Sequence, residues 1–127
     1  MTYHMTRLVD GNLEEAEERV RAALALEGFG VLSRIDVSAT LKTKINVDYL
    51  PYVILGACNP KMAHKALQLD DKIGVMLPCN IILQSKNGKI EVSAIDPMES
   101  IGRTGNDALK GPATSVKQSL QSVLDNI

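Results

Sequence analysis

The pair Asn87-Gly88 constrains this chain more than any other short feature. Asparagine and glycine enter the left-handed backbone region with little penalty, and a two-residue type I′ turn needs two such residues in succession. On either side, between Met76 and Ile95, lie apolar and partly alternating runs rich in Ile, Val and Leu. The segment therefore predicts a β-hairpin, and any fold for the chain must contain an antiparallel strand pair.

The remaining elements build around that pair. Tyr3 to Val9 reads as a strand closed by Asp10-Gly11. Asn12 with Glu15 three residues later is a capping-box spacing, and Leu13, Ala16, Val20, Ala23 and Leu24 recur at helical intervals until Gly28 stops the helix. The run VLSRIDV alternates, with Val31, Ser33, Ile35 and Val37 on one face, and predicts a half-buried strand. Ser38 to Val47 reads as a short helix or helical turn, because Leu41 and Ile45 stand four apart. Tyr52 to Ala57 is a short apolar run, preceded by Pro51 and ended by Gly56, which suits a central strand. Asn59 can cap a second helix with Pro60 at its first position. After Asp96-Pro97 a glycine-bearing stretch to Pro112 reads as a loop, and Val116, Leu120, Val123, Leu124 and Ile127 mark a closing helix.

The expected order is strand, helix, strand, strand, short helix, two hairpin strands and a final helix. Strands that cluster in this way favour an α+β domain, an antiparallel sheet packed by helices, over a doubly wound parallel sheet. At 127 residues the chain has length for one core.

Charge and composition exclude some functions. A net charge of −1, with 14 basic residues spread along the chain, concentrates no positive potential for phosphates. Only Tyr3, Phe29, Tyr49 and Tyr52 could stack on bases, so nucleic acid is not an expected partner. No apolar stretch is long enough to span a bilayer, and the N-terminal residues lack the blocks of a signal peptide, so a membrane is not expected and the cytoplasm is the expected location. There the two cysteines are expected as free thiols.

Those cysteines carry the one repeated motif, Cys58-Asn59 and Cys79-Asn80. Cys58 falls where a strand yields to a helix, and the positive end of a helix favours a thiolate. Cys79 is in phase with Ile81 and Leu83 and is expected on the core face. Asn59 is accounted for as a helix cap; Asn80, a poor strand former, is expected to hydrogen-bond across to a neighbouring segment. Cys58, Cys79 and His64 are the candidate metal ligands, although their spacing matches no standard ligand set. Asp36, at a strand end, is a further candidate contact, with turn or cap duty as its ordinary role.

The stretches YVILGACNPKMAHKAL, IGVMLPCNIIL and AIDP resemble domain-of-unknown-function family 302, a group of small, mostly bacterial and archaeal proteins. The matching positions are Asp36, Leu41, Lys44, Cys58, Asn59, Pro60, Ala63, Pro78, Cys79, Asn80 and Asp96-Pro97. The resemblance implies an α+β fold similar to half of the TATA-binding protein, a curved antiparallel sheet around two long helices, assembled as a homodimer. It implies no activity, and it leaves any cofactor unknown.

Three readings of function follow. In the first, the chain is a homodimeric, non-enzymatic module that binds a small ligand, or a metal, near Cys58, Asn59, Cys79, Asn80 and Asp36. In the second it is a thiol-dependent enzyme, with Cys58 as nucleophile and Asn59 or Asn80 donating to an oxyanion. In the third the Cys-Asn motifs are purely structural.

Overall fold

The hairpin forms as its turn chemistry dictates. Lys86 pairs with Lys89, so Asn87 and Gly88 are the entire loop, and both have positive φ, 52° and 78°. The computed structural model describes residues 2–127. Its strands are β1 (His4–Val9), β2 (Gly30–Asp36), β3 (Tyr52–Cys58), β4 (Cys79–Lys86) and β5 (Lys89–Ile95). They form one sheet in the order β1-β5-β4-β3-β2, and every neighbouring pair is antiparallel. The helices are α1 (Leu13–Leu26), α2 (Val37–Ile45), α3 (Pro60–Leu69) and α4 (Lys110–Asp125). The α+β expectation holds, with two long helices, α1 and α4.

The core lies between one face of the sheet and these two helices. Alternation along β3, β4 and β5 puts Val53, Leu55, Ala57, Ile81, Leu83, Val92 and Ala94 on that face, where they meet Ala16, Val20 and Leu24 of α1 and Val116, Leu120 and Val123 of α4. A smaller apolar cluster joins Ala66 of α3 to Ile73, Ile101, Leu109 and Ala113. Helix α1 begins as its spacing requires, with the Glu15 amide donating to Asn12 Oδ1 at 2.8 Å. In α3, Pro60 occupies the first turn and the Met62 amide donates to Asn59 Oδ1 at 3.3 Å.

Several boundaries differ from expectation. The segment after β2 is a helix of nine residues, and Val37, expected in the strand, opens it because Asp36 caps it. Strand β2 is not half-buried on one clean face. A bulge between Val31 and Ser33 shifts its phase, so Val31, Arg34 and Asp36 pair with the core-facing residues Ala57, Leu55 and Val53, while Ser33 and Ile35 turn to the opposite face. The hairpin's first strand begins at Cys79 rather than Met76, since Asp71–Met76 is a 3-10 helix and Pro78 has no amide for the ladder. The loop expected after Asp96-Pro97 is instead three short 3-10 turns, at Pro97–Glu99, Ile101–Arg103 and Asp107–Leu109. Gly111 and Pro112 belong to the first turn of α4, where a proline's missing amide costs nothing.

With the helices of the core on one side, the other face of the sheet is left open. Its laterally aligned rows are Ile54, Ile82, Ser93 and Thr6, and beside them Tyr52, Gln84, Glu91 and Leu8. No helix among the described residues is long and apolar enough to cross a membrane.

Candidate functional site

The sheet divides the two Cys-Asn motifs. Ala57 pairs with Cys79 on the core face, so Asn80, paired with Gly56, projects from the open face. Cys58, Asn59 and Cys79 come together around a small cavity closed by Met62 of α3 and Val116 of α4. Its volume is about 30 Å³ and its wall is apolar. That is space on the scale of one or two waters, and far below what a metabolite needs. Both cysteines are free thiols. Cys79 is 7% exposed, and burial, followed by the nearness of Cys58, pushes its thiol up to about 11. It stays protonated at neutral pH and packs as a small apolar side chain.

The other sequence candidates are dispersed. His64 is on α3 and does not line the cavity, and among the described residues no group of three His, Cys, Asp or Glu side chains is placed to hold a metal ion. Asp36 caps α2: its Oδ1 accepts from the Ala39 amide and the Ser38 hydroxyl, both at 2.9 Å. Those two hydrogen bonds hold its carboxyl below the ordinary carboxylate range. Asn80 is exposed, and its amide makes no side-chain hydrogen bond among the described residues, so the expected tie to a neighbouring segment is not formed. Asn59 is occupied as a cap. The two asparagines and the two thiols therefore do not form one pocket.

A different constellation forms on the open face. A recess of about 530 Å³ is lined there by Tyr3, His4, Tyr49, Tyr52, Asn80 and Glu91, with Ile82, Gln84 and Ser93 in its floor. Tyr49 and Tyr52 meet edge to face, ring centres 6.1 Å apart at 63°. Tyr3 and His4 form a second edge-to-face pair at 5.1 Å and 79°. Each side chain has a structural reason for its place. Tyr52 opens β3, Tyr3 is anchored by the Asp96 amide donating to its carbonyl at 2.8 Å, and Tyr49 sits in the connection that Lys42 and Asp48 brace with a 2.9 Å ion pair. Burial raises the Tyr52 hydroxyl pKa, with Tyr49 and then Tyr3 adding to it, so the ring stays neutral.

The polar groups are also ordered. His4 Nδ1, Thr6 Oγ1 and Ser93 Oγ form a chain of two 2.8 Å hydrogen bonds across β1 and β5. Glu91 accepts a long hydrogen bond from Gln84 at 3.5 Å and has Lys86 3.6 Å away at the rim. Three of the chain's four aromatic residues thus converge on one recess beside a carboxylate. Sequence reasoning missed it because Tyr3, Tyr49 and Glu91 lie on different strands and connections; the available signal was the outward phase of β4 and β5 once their partners were known.

Comparisons with known proteins agree with the fold. The family model for the domain of unknown function DUF302 matches residues 5–127. The crystal structure of an uncharacterized conserved DUF302 protein from Bacillus stearothermophilus is similar at 32% identity and a TM-score of 0.94, over 99% of this chain and 98% of that one. No curated protein matches the chain.

Proposed function

The chain belongs to the DUF302 family, and from that premise we propose that it is a non-enzymatic module that binds a small molecule on the open face of its sheet. The observation that carries this reading is the 530 Å³ recess, within the size range of small-molecule sites, where aromatic rings and a few ordered polar groups converge. The cysteine cavity, about 30 Å³ and apolar, suits packing instead. Of the sequence candidates, Asn80 belongs to the recess.

Self-association is part of the proposal. Leu32, Ile35, Ile45 and Leu50 are each about half exposed or more along β2, α2 and the connection after it, and β2 is an edge strand with one side unpaired. A second copy of the chain is the proposed cover. The free thiols suit a reducing compartment, and the cytoplasm is the proposed location.

The test is protein-observed NMR with a set of cationic, anionic and neutral fragments. Amide shifts centred on Ile82, Gln84 and Ser93 support the reading. Shifts centred on Cys58, Cys79 and Met62, or none with any fragment, refute it.

A further inference from the structure

Resting on that reading, we infer that the ligand of the recess carries an organic cation, an alkylammonium or quaternary ammonium group, seated between the tyrosine rings and the Glu91 carboxylate. The chemistry of the walls favours that charge. A tyrosine ring presents a negative face, and cations within about 6 Å of such a face are attracted to it. Tyr49 and Tyr52 stand edge to face, an arrangement that engages a face of only one ring of the pair, and Tyr3 lines the same space. Glu91 supplies a carboxylate with only 20% of its side chain exposed.

Lys86 is the basic side chain that the structure sets against that carboxylate. Lys86 approaches it at 3.6 Å from a side chain that is 54% exposed, a rim pair of small worth. The floor gives no fork of basic side chains for a phosphate or carboxylate: Ile82, Gln84 and Ser93 offer an alkyl surface, an amide and a hydroxyl. Asn80 and Ser93 can hydrogen-bond a hydroxyl or carbonyl elsewhere on the ligand. A cationic head with a short polar tail fits both halves.

The experiment is an NMR titration of the full chain at pH 8 with choline and, separately, with 3,3-dimethylbutan-1-ol, which has the same shape without the charge. Choline is expected to shift the amides of Ile82, Gln84 and Ser93 and to bind at least about fivefold more tightly than the alcohol, in keeping with a cation–π contribution of about 1 kcal/mol. Glu91→Gln and Tyr49→Leu should each weaken choline about threefold to tenfold while leaving the alcohol nearly unchanged. Tyr49 is 53% exposed, so its replacement tests the ring without disturbing the core. Equal binding of alcohol and choline overturns the cation while the small-molecule reading stands. So does recess binding by neutral or anionic fragments with no response to choline. If no fragment of any charge shifts the recess, both readings fall.

Discussion

Replacing Gly56 by alanine should destabilise the protein although glycine is a poor strand residue. Gly56 lies within β3, between Asn80 of β4 and Ser33 of β2. A Cβ built there would stand 2.7 Å from Pro78 Cγ and would collide with Ser33 Oγ. Carbon atoms in comfortable contact are about 3.5–4.0 Å apart, so the overlap with the proline ring is close to about 1 Å. The serine hydroxyl can rotate away, whereas the ring is tied to its own backbone. Overpacking of this kind costs about 1–3 kcal/mol, and the stiffer unfolded chain returns about 0.4–1 kcal/mol. The two ranges combine to a loss centred on about 1.3 kcal/mol. Equilibrium unfolding in urea at constant m-value measures it directly. Pro78→Ala in the Gly56→Ala background should recover more of the loss than Ser33→Ala does, a non-additivity expected of touching residues. A neutral or stabilising Gly56→Ala would refute the steric reasoning, and equal rescue by both second substitutions would refute the assignment of the ring as the rigid partner.

Further outcomes follow from the same contacts. Cys79 is held neutral, with its folded pKa raised above the ordinary thiol value of 9.0, so its contribution is complete below that pH and is lost as pH rises through about 11. Stability should fall by about 2–3 kcal/mol across that window, and Cys79→Ala should flatten that part of the pH profile. Asp36→Ala should cost about 1 kcal/mol through the lost cap of α2. Because its folded pKa is lowered, that contribution is present above the ordinary carboxyl value of about 4 and disappears as pH falls through the folded one, which acid titration of wild type and variant would reveal. Lys117→Met leaves Asp96, 8% exposed, without its 2.8 Å partner, and thermal unfolding should show a loss of about 1–2 kcal/mol, partly recovered by Asp96→Asn.

The elements legible in the sequence were those whose signals are local. Asn87-Gly88 specifies its own turn, Asn12 and Asn59 specify their caps, and the phase of Cys79 with Ile81 and Leu83 places it in the core. The bulge in β2 was not legible, because it exists only in the pairing of β2 with β3, a separate segment of the chain. Helix α2 was partly hidden by its β-branched residues, and cap duty, the ordinary role of Asp36, is what sets its first residue at Val37. The site was least legible of all. The Cys-Asn echo suggested that two motifs meet, but alternation sends Cys79 and Asn80 to opposite faces of one strand. The recess, by contrast, depends on a sheet order that local patterns do not encode.

The central claim is that the open face of the sheet, not the cysteine cavity, is where this protein holds its ligand. Crystals of the full chain soaked with the cationic, anionic and neutral fragments test it most directly. The account predicts density over Ile82 and Ser93, between Tyr52 and Tyr3. Density confined to the cavity at Cys58 and Cys79, or an open face covered in every crystal by a second copy of the chain with no fragment upon it, would contradict it.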